Sequence, residues 1–150
     1  MPEAARAQLA ELKIPAQDEF IGLAKRVATS LGGMLGFSLD EIDDLSIAVT
    51  QACGSVIEAA DEAWGPGATL KLSFGPNERG LAVDVEAIAP RSREALPVPR
   101  SAAARAAKAE ADIQRELARE MIRLFVDDFR HQVDASRRQI RYRMVKYLVT

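Results

Sequence analysis

The 150-residue sequence is poor in the residues that build disulfides and most metal centres, since it contains one cysteine and one histidine. Cys53 has no second cysteine with which to form an internal disulfide, and one cysteine with one histidine does not complete a zinc site. His131 has no serine, cysteine or paired acid at a recognisable catalytic spacing. We therefore expect no disulfide, no structural metal and no catalytic triad.

Two further absences concern charge and membranes. A formal net charge of −2, from 20 basic and 22 acidic residues, gives no overall field to hold nucleic acid or an anionic membrane. Tyr142 and Tyr147 are too few to form a stacking platform for bases in the basic C-terminal segment. No stretch approaches the roughly 20 apolar residues of a membrane span, and the N-terminus lacks a signal-peptide pattern. We therefore expect a cytoplasmic protein without a nucleic-acid or membrane partner.

Length and a hydrophobic content of 48% favour one domain over residues 1–150 with a single core. Hydrophobic periodicity predicts the order β-α-α-β-β-loop-α-β-β, which indicates an α+β two-layer sandwich with helices on one side of a mostly antiparallel sheet. The predicted elements are a strand over 11–16, helices over 18–35 and from Leu39 to about Glu62, strands over 68–74 and 80–88, a loop over 89–108, a helix from about Glu110 to Asp128, and strands over 129–135 and 137–149.

The apolar residues of each helix predict which face turns to the core. Ser38 and Glu41 have the spacing of a capping box and predict where the second helix begins. Its apolar face is predicted to contain Ile42, Leu45, Val49, Ala52, Val56 and Ala59. The first helix is amphipathic through Phe20, Leu23, Val27, Leu31 and Met34, and the last helix is predicted to face inward through Ile113, Leu117, Met121, Leu124 and Phe125.

Two long segments carry a family resemblance in addition to the element order. They are GFSLDEIDDLSIAVTQACGSVIEAA at 36–60, and MIRLFVDDF with RRQIRYRMVKYLV inside 121–149. Together they resemble the serine-protein kinase anti-sigma factors, bacterial members of the histidine-kinase-like ATPase superfamily, from about residue 11 to 149. The resemblance implies that superfamily's fold, an ATP and Mg²⁺ site, a sigma factor or anti-anti-sigma antagonist as partner, and a homodimer.

The residues that the resemblance places at the nucleotide depart from the family pattern. On the second helix the family has a glutamate and, four residues later, a Mg²⁺-binding asparagine, where this chain has Gln51 and Ser55. Gln51 has no ionisable group and cannot act as a general base, while Ser55 offers one hydroxyl in place of an amide oxygen. We therefore expect no catalytic residue and no metal ligand here.

The adenine and phosphate contacts depart in the same way. The family's Asp-x-Gly motif falls on Ala87 and Ala89, so the carboxylate that accepts the adenine amino group is absent, and Glu86 or Asp84 would replace it only through a change of strand register. Every glycine lies at or before Gly80, so residues 89–108 form a degenerate ATP-lid loop without the glycine-rich phosphate cradle. Arg100, Arg105 and Lys108 offer an anion only an electrostatic contact, which is typical of a solvated face.

We therefore expect an anti-sigma-type regulator that binds a protein partner and has lost nucleotide binding. The acidic run Asp40, Glu41, Asp43 and Asp44 is the candidate partner surface, although acids at a helix start also complement the helix dipole. An ATP- and Mg²⁺-dependent serine-protein kinase acting on an anti-anti-sigma antagonist is the alternative. A third possibility is a structural or dimerising fragment of a larger signalling system.

Overall fold

The computed structural model describes residues 8–91, 95–97 and 100–148, which form the predicted α+β sandwich. A short 3-10 turn over Asp18–Phe20 precedes the first helix. The main elements are β1 (Ala10–Pro15), α1 (Ile21–Leu35), α2 (Leu39–Trp64), β2 (Thr69–Asn77), β3 (Gly80–Ile88), α3 (Ala102–Phe125), β4 (Asp128–Asp134) and β5 (Gln139–Tyr147). Among the described helices, none combines the length and the apolar character needed to cross a membrane.

The five strands form one sheet in the order β1-β2-β3-β5-β4, and every neighbouring pair is antiparallel. Val83 of β3 lies opposite Phe74 and Met144 on the adjacent strands, and all three side chains are fully buried on one face. On the other face Asp84 accepts hydrogen bonds from Arg141 and Arg143. The sheet thus has one apolar face for the helices and one charged face.

α2 is the central helix, and the chemistry of its two ends explains its bounds. The Ser38 hydroxyl accepts from the Glu41 N–H at 3.1 Å, and the Glu41 carboxylate accepts from the Ser38 N–H at 2.8 Å, which confirms the capping box. Gly65 has a φ of 74°, which favours glycine and ends the helix. Trp64, fully buried, donates to the Ala135 carbonyl at 3.4 Å and joins α2 to the β4–β5 turn.

The predicted loop over 89–108 is too long, because α3 begins at Ala102. Ser101 caps this helix by accepting from the Ala104 N–H at 3.0 Å, and the alanine-rich sequence that follows favours helix. Residues 92–94 and 98–99 of that loop, and residue 149 of the predicted last strand, lie outside the described residues. β2 is also longer than predicted and leaves a two-residue turn at Glu78 and Arg79.

The predicted core face of α1 is partly wrong. The buried residues of α1 are Ala24, Ala28 and Gly32, whereas Leu23 and Met34 are exposed. A Cβ added to Gly32 would lie 3.1 Å from the Phe37 ring, so the small residues allow α1 to approach its neighbours closely. Phe20, Val27 and Leu31 are partly buried and pack against the core, so the predicted apolar stripe identified the packed side of this helix only in part.

The predicted inward face of α3 is wrong. Ile113, Leu117, Met121 and Leu124 are exposed, and Phe125 is only half-buried. The buried residues of this helix are instead Arg115 and Ile122. Compared with the prediction, α3 is rotated about its axis, because the side that makes ion pairs with α2 faces inward in place of the apolar side.

Candidate functional site

Gln51 and Ser55 lie one turn apart on the side of α2 that faces α3. Glu62 follows Ser55 by seven residues, about two helical turns, and therefore lies on the same side. Glu62 is paired with Arg115 of α3, so α3 packs along this side of α2. Ser55 is 3% exposed and Gln51 is half-buried. The Ser55 hydroxyl is thus covered in this structure.

A cluster of four charged side chains joins α2 to α3. Arg115 Nη2 lies 2.7 Å from Glu62 Oε2 and 2.5 Å from Asp112 Oδ1, and Lys108 Nζ lies 3.0 Å from Glu62 Oε1. Hydrogen bonds from Lys108 to Glu62 and Asp112 raise the pKa of that lysine. Burial acts to raise the pKa of Asp112, but hydrogen bonds and charge from Lys108 and Arg115 outweigh it and lower that pKa. Lys108 is therefore occupied by carboxylates.

On β3 the position that would carry the adenine-binding carboxylate is buried. Ala87 is 2% exposed and points to the helix-covered face, in phase with Val83 and Val85. Asp84 and Glu86 alternate with these residues and point to the opposite face, where Asp84 holds Arg141 and Arg143. Neither acid can replace the missing carboxylate in this register. Ala89, just after the strand, is half-buried.

The first turn of α3 makes several hydrogen bonds within the chain. Besides the Ser101 cap, the Arg105 N–H donates to the Ser101 carbonyl at 2.9 Å, and the Arg105 guanidinium donates to the Arg100 carbonyl at 2.5 Å. Before the helix, the Leu96 N–H donates to the Ala63 carbonyl at 2.6 Å, which attaches this part of the connection to the end of α2.

The negative charge of α2 disfavours a phosphate ligand near this helix. The helix carries seven acids and no lysine or arginine. A surface depression near its C-terminal end is lined by residues 16–19 and by Ile57, Glu58 and Asp61, so carboxylates surround it. Such a surface repels a polyphosphate. Among the described residues, no group of three or more His, Cys, Asp or Glu side chains has a geometry suited to a metal ion.

The four acids of the candidate partner surface have different environments. Glu41 is buried and its carboxylate caps α2, while Asp44 accepts from Lys146 at 3.3 Å. Asp40 and Asp43 are exposed. Of the four, these two present their carboxylates to solvent, and their contact with a partner stays a prediction.

The single cysteine lies in the core, whereas the single histidine lies at an exposed position of a strand. Cys53 is fully buried in α2, and burial raises its pKa to about 12, so the thiol is not a nucleophile. His131 is exposed on β4, where its ring stacks with Phe129 at a centroid distance of 5.7 Å. Burial, Arg119 and Arg123 together lower the pKa of His131.

The element order and the layered arrangement match the histidine-kinase-like ATPase fold that the resemblance implied. Comparison with known proteins identifies relatives within this fold class. No protein-family model matches the chain. The chain is 38% identical over 64 residues to the serine-protein kinase RsbW of Halalkalibacterium halodurans, covering 43% of this chain and 38% of that protein. It is 37% identical over 79 residues to the Bacillus subtilis protein of the same name, covering 53% and 49%.

A third relative, the serine-protein kinase RsbW of Bacillus velezensis, is 35% identical over 77 residues, which is 50% of this chain and 46% of that protein. These matches confirm the resemblance to the serine-protein kinase anti-sigma factors, and the chain is related to that family over about half of its length. The matches span less than half the length of each of these relatives.

The residues that close the α2–α3 contact were not identified from the sequence. Lys108, Asp112, Arg115 and Arg119 recur at three- and four-residue spacing, a pattern that is equally typical of a solvated helix face. One feature of the sequence could have identified them. The charged residues form a stripe along α3 that lies beside the stripe of apolar residues and is of similar length. Glu62 is 53 residues from Arg115 along the chain, and only the fold brings them together.

Proposed function

We propose that the chain is an anti-sigma-type regulator that acts by binding a protein partner, either a sigma factor or an antagonist of one, and that it does not bind nucleotide. The observation that carries the proposal is the closure of two contact positions, because Ser55 is 3% and Ala87 is 2% exposed. The relatives support a regulatory role, since they carry the name of an anti-sigma family of serine-protein kinases. A reduced, buried Cys53 fits a cytoplasmic location.

Three independent losses add up at the nucleotide position. The Mg²⁺-binding amide at Ser55, the adenine carboxylate at Ala87 and the glycine-rich phosphate cradle before α3 are each replaced. Losing one polar contact weakens binding by about 1–3 kcal/mol. Even at the lower value, three losses raise a dissociation constant by more than about 100-fold, because 1.4 kcal/mol corresponds to a factor of ten. A micromolar nucleotide site would then have a dissociation constant of about 0.1 mM at the lower value, and one far above 1 mM at about 2 kcal/mol for each contact.

Calorimetric titration with ATP and Mg²⁺, and then with ADP, tests the loss of nucleotide binding. We expect no heat of binding at protein concentrations that detect dissociation constants up to about 1 mM. The double variant Gln51→Glu with Ser55→Asn should also fail to bind nucleotide, because the adenine and phosphate contacts are still missing. Micromolar binding by the wild-type chain, or its recovery in the double variant, would refute the proposed loss.

The partner surface is tested separately. We propose that exposed Asp40 and Asp43 contact the partner, so Asp40→Lys with Asp43→Lys should abolish capture of a sigma factor or antagonist that the wild-type chain binds. Glu78→Lys, at the exposed β2–β3 turn, is the matched charge-reversal control and should bind normally. Equal binding by all three proteins would exclude this part of α2 as the contact.

An ATP-dependent serine-protein kinase is the second candidate, and the observation that favours it is the shared name of the relatives. The reaction would transfer a phosphoryl group from ATP to a serine of the antagonist. Incubation with radiolabelled ATP, Mg²⁺ and a candidate antagonist distinguishes the two candidates. Labelling of the antagonist that disappears in Gln51→Ala would establish the kinase and overturn the binding-only proposal.

A further inference from the structure

The outer edge of β4 has no strand beside it in the described part of the chain. β4 is the last strand in the sheet order β1-β2-β3-β5-β4, and the strand it pairs with there is β5. An edge strand directs the N–H and C=O groups of alternate residues away from the sheet, where another extended segment can pair with them. The 7 residues of β4 therefore offer a row of backbone donors and acceptors.

The two edges of the sheet differ in how well they resist such pairing. β1 carries Lys13 and ends at Pro15, and natural sheets use lysine and proline at edges to prevent the addition of strands. β4 contains neither residue type. Its charged residues Asp128, Arg130 and Asp134 all point to the charged face of the sheet. The helix side of the β4 edge is thus left without a charged acid, lysine or proline to block it.

On its helix side, β4 presents three alternating side chains next to α3. Phe129 is half-buried, whereas His131 is exposed and Val133 is 49% exposed. Their partner residues on β5 are all fully buried. The apolar face of the sheet therefore extends past the cover of the helices, and a strand added to β4 would cover Val133 and the His131 ring.

The middle of this strand edge has a positive electrostatic potential. The guanidinium carbon of Arg123 lies 5.2 Å from the centre of the Phe129 ring, and that ring stacks with His131 at 5.7 Å. Burial, Arg119 and Arg123 lower the pKa of His131, and the opposing effect of Glu116 is smaller than that of either arginine. A carboxylate beside His131 is therefore favoured.

We propose that β4 binds an extended segment of another protein as an added strand, and that this segment carries an acidic residue between two apolar ones. The acid faces His131 and Arg123, and the apolar residues two positions before and after it face Phe129 and Val133. Residues directly opposite each other on neighbouring strands have Cβ atoms about 5 Å apart, which is within reach of these polar groups. Backbone pairing gives the affinity, and the alternating pattern gives the specificity.

A second copy of the chain fits this edge poorly. Two β4 strands paired about a two-fold axis through their middle residue would place His131 opposite itself, with the α3 arginines of both copies nearby. Like charges directly opposite each other destabilise a sheet. The site shares no residue with the proposed partner surface at Asp40 and Asp43, so its test is separate from the test of that surface.

Fluorescence anisotropy with a labelled seven-residue peptide tests the recognition. The peptide has valine at its second and sixth positions, glutamate at the fourth and threonine elsewhere. We expect saturable binding, and binding at least about tenfold weaker when lysine replaces the glutamate of the peptide. Equal binding of the two peptides, or no saturable binding of the glutamate peptide up to about 1 mM, would overturn the proposal.

Charge reversal in the protein tests the contact with α3. Arg123→Glu should weaken binding of the glutamate peptide about tenfold and strengthen binding of the lysine peptide, while circular dichroism shows an unchanged fold. Arg26→Glu, at an exposed position of α1, is the matched control and should bind both peptides as the wild type does. Unchanged peptide preference in Arg123→Glu would refute the proposed position of the acid.

Backbone pairing is tested with two N-methylated forms of the glutamate peptide. One form carries methyl groups on its even-numbered residues and the other on its odd-numbered residues. Because the N–H groups of alternate residues in an added strand face its neighbour, one form should lose binding and the other should retain it. Equal affinity of the two forms would show that the peptide does not bind as a strand.

Discussion

Arg115 is the side chain on which the attachment of α3 to α2 most depends. It is 8% exposed and forms hydrogen bonds with Glu62 at 2.7 Å and with Asp112 at 2.5 Å. Ile122 is the only buried apolar residue of the helix. We therefore expect Arg115→Ala to lower the free energy of unfolding more than any exposed arginine substitution does.

The size of this loss follows from the neighbours that remain. Removing one partner of a fully buried ion pair costs about 3–5 kcal/mol, because the other charge is left without compensation. Here the Glu62 and Asp112 side chains are 33% and 52% exposed, and Lys108 still contacts both after the substitution. Water and Lys108 therefore compensate much of the loss, and we expect about 2 kcal/mol. For a chain of this length that lowers Tm by about 4–8 °C.

Urea unfolding followed by tryptophan fluorescence measures the change, because Trp64 is the only tryptophan and is fully buried. Arg137→Ala is the matched control, since the Arg137 side chain is 79% exposed and its ion pair with Asp134 is exposed as well. We expect the control to change the free energy of unfolding by less than about 0.5 kcal/mol. Arg115→Met retains the aliphatic packing and should lose about 1 kcal/mol, which separates packing from charge.

The result that would refute this reasoning is a loss for Arg115→Ala that equals the loss for Arg137→Ala. The cluster would then contribute no more than an exposed pair, and the rotation of α3 would need another cause. A loss above about 5 kcal/mol would indicate that Lys108 does not compensate the two carboxylates.

Three further predictions concern packing, backbone contact and pH. Ile122→Ala should cost about 2–5 kcal/mol through a core cavity, whereas Leu117→Gln should change stability by less than about 0.5 kcal/mol, and a reversed order in urea unfolding would contradict the observed face of α3. Gly80→Ala should cost at least about 2 kcal/mol, because its Cβ would overlap the Lys146 carbonyl oxygen; an unchanged Tm would refute this contact. The pKa of His131 is lowered by burial and by two α3 arginines, so the unfolded chain binds more protons near the ordinary pKa of about 6.5. Stability should therefore fall as pH drops through about 6.5, and His131→Gln should flatten that part of the profile of unfolding free energy against pH.

Much of the fold could be predicted because its signals are local. The capping box at Ser38 and Glu41 predicted the start of α2. In β5, the alternate residues Ile140, Tyr142 and Met144 are apolar in the sequence and form the buried side of the strand. The face of the sheet to which Ala87 points was also predictable, because successive side chains of a strand point to opposite faces and Ala87 is in phase with Val83 and Val85. The end of the loop that begins at residue 89 was not, because alanine-rich sequence after three prolines is compatible with loop or helix until Ser101 caps it.

The sequence by itself determined the α+β element order, the departures at Gln51, Ser55 and Ala87, and the relationship to an anti-sigma family. These depend on residue identity and on neighbours a few positions apart. Only the tertiary structure decided which side of α3 packs inward, because periodicity defines the stripes of a helix but not the neighbour that each stripe meets. Arg115 lies inside since folding brings Glu62 to it from a distant part of the chain, and that pairing leaves Leu117 and its neighbours in the stripe exposed.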